Sequence, residues 1–172
     1  MKQKTTKIFL LIVMVIMGLG VLGCCGNNGI PFNLSFSARE TFGYKEMGEG
    51  IRTGLLEIVG SRQELEKLAI EWNNSAFNGD NNQPNSDLSI KLRSYDKQFF
   101  SENRLVIYSF ERGHSRETRI ERLVVNETEL IIHARQANIR GTFIDIAFAW
   151  TMLIEVPLQY IENATTVSIT YR

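Results

Sequence analysis

The surroundings of Cys24 define a chemistry more clearly than those of any other residue in this 172-residue chain. Three lysines within the first seven residues precede an uncharged apolar run from Ile8 to Leu22, and the small Gly23 stands directly before the cysteine. A basic start, an apolar run and a small residue at the cleavage position are typical of an export signal. With a cysteine after the cut, the pattern predicts a bacterial lipoprotein, with a signal peptide over residues 1–23 and lipid attached to Cys24.

An uncleaved membrane anchor is the alternative interpretation of the same run. The 15 residues from Ile8 to Leu22 fall short of the roughly 20 that a spanning helix needs, and Gly18 and Gly20 weaken the run as a helix. We therefore expect cleavage and lipidation. Under both interpretations the protein is held at the cell membrane, on its extracytoplasmic face.

The composition of the part that follows the signal limits its chemistry. Both cysteines of the chain, Cys24 and Cys25, lie at the predicted cleavage site, which excludes catalytic cysteine, zinc–thiolate and disulfide chemistry in the folded part. Removal of residues 1–23 takes three lysines away and leaves 16 basic against 19 acidic residues, a net charge of −3. This balance argues against a nucleic-acid partner and against an anionic-membrane face, so membrane attachment is assigned to the lipid.

Of the two histidines, His114 is the one with a candidate catalytic neighbour. It stands beside Ser115 in a polar turn, where it could act as the general base of a cell-surface hydrolase. Adjacent residues in a turn rarely point at each other, and no third group is placed to orient the imidazole, so a solvated hairpin tip is preferred. His133 alternates with apolar neighbours and is predicted to be a sheet-surface residue. Without paired histidines or a cysteine partner, no metal or other cofactor is predicted.

Four aromatic residues, Phe110, Phe143, Phe148 and Trp150, occur in β-prone segments. They could line a groove for a small ligand, which would make the protein a ligand-binding envelope lipoprotein. Aromatic residues on strands are most often core residues, and we prefer that interpretation.

One helix is indicated among the elements that must position these residues. Ser61-Arg62-Gln63-Glu64 is a capping box, and it is followed by apolar residues at helical spacing, namely Leu65, Leu68, Ala69 and Trp72. The segment from Asn73 to Asp87 has no periodicity and is predicted to be a long exposed loop.

Elsewhere the pattern is β. Period-two alternation or dense apolar runs predict strands within 32–36, 51–59, 88–92, 105–110, 118–125, 129–135, 144–156 and 166–171, with Asn126-Glu127-Thr128 as a hairpin turn. The predicted fold class is α+β, mainly β: an antiparallel sheet or sandwich of about seven strands with one packed helix. Residues 24–30 are predicted to be a flexible tether, and 31–172 a single β-rich globular domain.

The order of these features resembles the domain of PrcB-like lipoproteins, named for a surface-anchored subunit that accompanies and stabilises an extracellular protease. The resemblance covers roughly residues 58–158. It is carried by the capped helix from Ser61, the pair Phe99-Phe100 before Leu105-Val106-Ile107-Tyr108, the hairpin from Ile120 to Arg135 and the strand from Trp150 to Pro157. Where such domains have a Gly-Gly-Tyr turn, this chain has Gly113-His114-Ser115-Arg116. The resemblance implies a non-enzymatic accessory role.

Together these observations predict a lipid-anchored, extracytoplasmic binding or accessory domain that contacts another exported protein, with a protease as one candidate. Two alternatives from other classes stay open. One is a cell-surface hydrolase that uses His114 with Ser115 or unrecognised carboxylates, and the other is an envelope lipoprotein that binds a small ligand in an aromatic groove.

Overall fold

A computed structural model describes residues 29–47, 50–52, 54–77, 86–113, 116–138 and 147–172. The strands are β1 (Asn33–Ala38), β2 (Lys45–Met47), β3 (Gly50–Arg52), β4 (Leu55–Val59), β5 (Asn103–Gly113), β6 (Arg116–Asn126), β7 (Glu129–Asn138), β8 (Ala147–Pro157) and β9 (Thr166–Tyr171). The helices are α1 (Arg62–Glu71), α2 (Asp87–Ser94), α3 (Lys97–Glu102) and α4 (Leu158–Ile161), with a 3₁₀ turn at Ser75–Phe77. None of these helices has both the length and the hydrophobicity of a membrane span.

The strands form two larger sheets and one hairpin. A four-stranded antiparallel sheet, sheet one, has the order β1-β8-β5-β4. A three-stranded sheet, sheet two, has the order β6-β7-β9, in which β6 and β7 are antiparallel and β7 and β9 are parallel. Strands β2 and β3 pair only with each other in the described part of the chain. The predicted fold class, mainly β within α+β, is confirmed.

Sheet one is the middle layer of three. Along β5, Leu105 and Ile107 belong to a core cluster with the helices, whereas Val106 belongs to a core shared with sheet two. Successive side chains of a strand point to opposite faces, so both faces of β5 are buried. The apolar run Leu105-Val106-Ile107-Tyr108 is the sequence trace of this double burial, because a strand covered on one face only would alternate with polar residues.

The predicted helix is confirmed, but it is not the only one among the described residues. The segment 88–92, predicted to be a strand, lies in helix α2. Ser86 caps this helix, since its hydroxyl accepts a hydrogen bond from the Ser89 amide, and Leu88 and Leu92 are buried one turn apart while Ile90 is 51% exposed. The prediction was wrong because residues at i and i+4 share a helical face, whereas those at i, i+2 and i+4 share a strand face.

Other predicted elements agree with the structure in part. The loop predicted from Asn73 to Asp87 contains the 3₁₀ turn, whose Ala76 is fully buried, and residues 78–85 lie outside the described ranges. The apolar stretch 51–59 is divided between β3 and β4. The hairpin turn is confirmed, with Glu127 at a φ of 55°, and so are β1, the strand within 105–110 and β9.

Replacement of Ser61 by alanine should lower the free energy of unfolding by about 1 kcal/mol, the usual loss for an N-cap. The Ser61 hydroxyl accepts from the Glu64 amide at 3.1 Å, and the Glu64 carboxylate accepts from the Gly60 amide at 2.7 Å. Urea denaturation of Ser61→Ala and of the control Ser61→Asp, which keeps a capping oxygen, measures the effect. Equal losses in both variants would contradict the assigned cap.

Candidate functional site

Several residues singled out by their sequence context lie outside the described ranges. These are Cys24, the pair His114 and Ser115, and Phe143. The lipidation site and the turn of the hydrolase alternative therefore stay predictions. In the part of the chain that the structure describes, no three acidic, histidine or cysteine residues are placed to hold a metal ion.

His133 lies on the outer face of sheet two, in β7, between the buried residues Ile132 and Ala134. Its Nδ1 is 2.8 Å from the Thr170 hydroxyl on β9. Burial, together with the charges of Arg122 and Arg172, holds the pKa of the imidazole below its usual value. The prediction of a sheet-surface residue is confirmed, and the hydroxyl it contacts belongs to the neighbouring strand rather than to an arranged catalytic group.

The aromatic residues near Trp150 pack as a core cluster rather than as the walls of a groove. Tyr108 and Phe110 stack with ring centroids 4.3 Å apart, and Trp150 packs against them. The Arg112 guanidinium lies 3.6 Å from the centroid of the Trp150 ring, a cation–π contact at the rim of this cluster. The core interpretation is confirmed for Phe110, which is 8% exposed.

A half-buried polar network joins β1, β8 and α2 on the helix side of sheet one. The Glu155 carboxylate accepts from Asn33 Nδ2 at 2.8 Å and from the Tyr95 hydroxyl at 3.0 Å, and it forms an ion pair with Lys91 Nζ at 3.1 Å. The Ser35 and Tyr95 hydroxyl oxygens are 2.7 Å apart. Both side chains of the ion pair are largely buried, since 31% of Lys91 and 18% of Glu155 is exposed.

The pKa values of the groups in this network favour a structural role over proton transfer. Burial raises the pKa of the Tyr95 hydroxyl far above its usual range, so it stays a donor. Burial also raises the pKa of the Glu155 carboxyl, but hydrogen bonds from Asn33, Lys91 and Ser35 outweigh burial and hold it below its usual value. A charged carboxylate that accepts from three donors inside the protein holds β8, β1 and α2 together.

A groove at the free edge of sheet one has the geometry of a binding site. Strand β4 is an edge strand that pairs on one side with β5, and no described strand pairs with its outer side. Helix α1 follows β4 directly and packs beside it, which leaves a groove of about 180 Å³. We call it the β4 groove; it is lined by Glu57, Ile58, Val59, Glu64, Lys67, Leu68 and Glu71.

The β4 groove is acidic, with three carboxylates against the single ammonium group of Lys67. Two of the carboxylates have partners, since Glu64 accepts from the Gly60 amide and Glu71 forms an ion pair of 3.5 Å with Lys45. Within the described part of the chain, the Glu57 side chain has neither a hydrogen bond nor an ion pair, and it is exposed. Glu57 is therefore the carboxylate available to a partner.

The sequence analysis did not identify Glu57 or Glu155 as candidate site residues. Glu57 interrupts Leu55-Leu56-Glu57-Ile58-Val59, and Glu155 interrupts the apolar end of β8. One charged residue inside an apolar strand is the signal that could have found both of them. The signal does not distinguish the two roles, because the strand order decides that β8 is interior and β4 is at the edge.

The comparisons with known proteins give no match to this chain, neither among protein-family models nor among curated proteins nor among solved structures.

Proposed function

We propose that this chain is a lipid-anchored, extracytoplasmic binding domain without enzymatic activity, which holds another exported protein at the outer edge of β4. The observation that supports this proposal best is the β4 groove, where no described strand pairs with the outer side of β4 and the exposed Glu57 carboxylate lies beside a helix. Exposed edge strands are templates for other strands, and proteins usually cover, shorten or charge them. An edge left beside a groove is suited to a partner.

Two of the other sheet edges, β1 and β6, are less suited to this role. Edge strand β1 has a register shift between Leu34 and Phe36, and such irregularities twist an edge away from regular pairing. Edge strand β6 is met from outside by Ile30, whose amide donates to the Leu123 carbonyl at 2.9 Å. These features favour β4 as the site of contact.

The predicted lipid and tether fit the same role. From Cys24 to Ile30 an extended chain reaches about 20 Å, so lipid on Cys24 would keep the domain and whatever it binds close to the membrane. The resemblance to PrcB-like lipoproteins supports an exported protease as the class of partner. The network around Glu155 gives no support to a hydrolase, since its donors hold the pKa of this carboxyl below the usual value.

Site-specific photo-crosslinking in the natural cell envelope tests the function. Benzoyl-phenylalanine replaces Lys67, an exposed residue that lines the β4 groove, in the full, lipidated chain, so that Glu57 is kept. The control carries the crosslinker at Glu121, an exposed residue on a strand of sheet two. We expect position 67 to capture an exported protein, identified by mass spectrometry, that position 121 does not capture. The captured protein, purified, should then bind the purified domain.

Two results would overturn the proposed function. One is equal capture at positions 67 and 121, which would indicate contact without a defined face. The other is no capture at position 67 in an envelope where the protein is present and intact. A Cys24→Ser variant, which lacks the lipid acceptor, should lose the crosslink at its natural abundance while the purified proteins still bind each other.

A further inference from the structure

The outer side of β4 offers main-chain hydrogen bonds. In an antiparallel pair, alternate residues direct their N–H and C=O groups toward the partner strand and the others direct theirs away from it. Since β5 pairs with only one side of the five-residue strand β4, alternate main-chain groups face outward. An added strand of similar length, roughly 17 Å, could satisfy them, as in β-augmentation.

The β4 groove determines which side chains an added strand would carry on the helix side. Leu55 and Val59 are buried beneath α1, and Glu57 lies between them on the same face, exposed. Residues directly opposite each other on paired strands have Cβ atoms about 5 Å apart, and opposite charges at that distance stabilise the pair. The residue of an added strand opposite Glu57 would therefore be lysine or arginine.

The charge of the β4 groove supports a basic residue opposite Glu57 and argues against an acidic one. An acidic residue opposite Glu57 would face a second carboxylate, in a groove whose three glutamates are met only by Lys67 and, at Glu71, by Lys45 among the described residues. Like charges placed across an interface penalise the wrong partner. The groove therefore selects against acidic segments as well as favouring basic ones.

The other face of β4 adds an apolar preference. Leu56 and Ile58 are half-buried and pack toward sheet two, where Val167 and Ile169 of β9 belong to the same clusters. An added strand would place its two residues on this face beside Leu56 and Ile58, so apolar side chains there would extend the core between the sheets.

We propose that the β4 groove binds an extended segment of the partner by strand addition, and that this segment has a basic residue opposite Glu57 flanked by apolar residues. This inference rests on the proposed function and names the chemistry of its partner. The main-chain hydrogen bonds of β4 would provide affinity for any extended segment, while Glu57 would favour segments with a basic residue at the opposite position.

Synthetic peptides test this selection. Two labelled eight-residue peptides of alternating valine and threonine differ at one central position, which is lysine in one peptide and glutamate in the other. We expect the lysine peptide to bind the purified domain roughly tenfold more tightly at low salt, with less difference at high salt. Glu57→Lys should reverse the preference, and the matched control Glu121→Lys should not change it. Fluorescence polarisation measures both.

Hydrogen exchange tests the main-chain part. In the complex with the lysine peptide, amides of β4 should exchange more slowly, while those of β6 should not change. A charge preference without slower exchange in β4 would overturn strand addition. If neither peptide binds, or neither is preferred, while position 67 still captures an exported protein, the inference fails and the proposed function stands. Without that capture the proposed function itself fails.

Discussion

Replacement of Gly43 by alanine should lower the free energy of unfolding by at least about 3 kcal/mol, which for a domain of this size lowers the melting temperature by about 6 to 12 °C. Gly43 has a φ of +152°, and a Cβ at this position would lie 2.1 Å from the Trp72 carbonyl oxygen. That oxygen belongs to the backbone and accepts from the Tyr44 amide at 2.8 Å. The backbone segments at Gly43 and at Trp72 could separate to make room only by breaking this hydrogen bond.

The contact at Gly43 holds the segment before β2 against the end of α1. Phe42 is buried in the helix-side core, and its carbonyl accepts a hydrogen bond from the Asn74 side chain. The Tyr44 carbonyl accepts from Asn73 Nδ2 at 3.2 Å. An alanine at position 43 would therefore disturb both the turn and the burial of Phe42.

Gly54→Ala is the matched control, because a Cβ there would have its nearest neighbour at 4.0 Å. We expect this variant to stay within about 0.5 kcal/mol of the parent. Chemical denaturation followed by circular dichroism compares the two. A Gly43→Ala variant as stable as Gly54→Ala would show that the segment around residue 43 is not packed against α1 as described.

The sequence predicted the class of fold because local signals agreed with long-range burial in most elements. The turn at Asn126-Glu127-Thr128 separates two alternating segments, and the structure pairs them as β6 and β7. The capping box at Ser61 marks the first residues of α1. In these places propensity and pattern lead to one answer.

The pattern of apolar residues gave a wrong prediction where the strand period and the helix period fit the same segment. Leu88, Ile90 and Leu92 satisfy a strand, and two of them also satisfy a helix. The decisive signals were Ser86 as an N-cap and the basic residues Lys91 and Arg93 near the helix C-terminus. Both are local signals that stabilise a helix, through the first free amides and through the helix dipole.

The candidate site could not be predicted because it depends on the order of strands. Strand β4 is at an edge because its one described partner, β5, pairs on its other side with β8, across 34 to 54 residues of chain. Long-range pairing of this kind leaves no local trace in sequence. For the same reason the two glutamates on the helix side of sheet one, Glu57 and Glu155, have similar sequence surroundings and different environments.

Replacement of Glu155 by alanine should lower the free energy of unfolding by about 2 to 3 kcal/mol at pH 7, because it leaves a half-buried ammonium group and two other donors without their acceptor. The donors are Lys91 of α2, Tyr95 directly after that helix, and Asn33 of β1. Loss of the shared acceptor therefore weakens the attachment of both β1 and α2 to the sheet.

Glu57→Ala is the matched control, since Glu57 is a glutamate on the same face of the same sheet but is exposed and unpaired within the described residues. We expect it to change stability by less than about 0.5 kcal/mol. Urea denaturation at pH 7 separates the two variants. Equal effects would mean that the hydrogen bonds around Glu155 contribute no more than a solvated carboxylate does.

The pH dependence of the Glu155 effect has a definite sign. Its pKa in the folded protein is below the value near 4.3 of an unfolded chain, so the unfolded state binds a proton more readily. The stabilisation is therefore complete above about pH 5 and is lost as the pH falls through the folded pKa. The stability difference between the parent and Glu155→Ala should shrink on acidification below about pH 4, when measured against Glu57→Ala at each pH. A difference that grows on acidification would contradict the charged, hydrogen-bonded state assigned to this carboxylate.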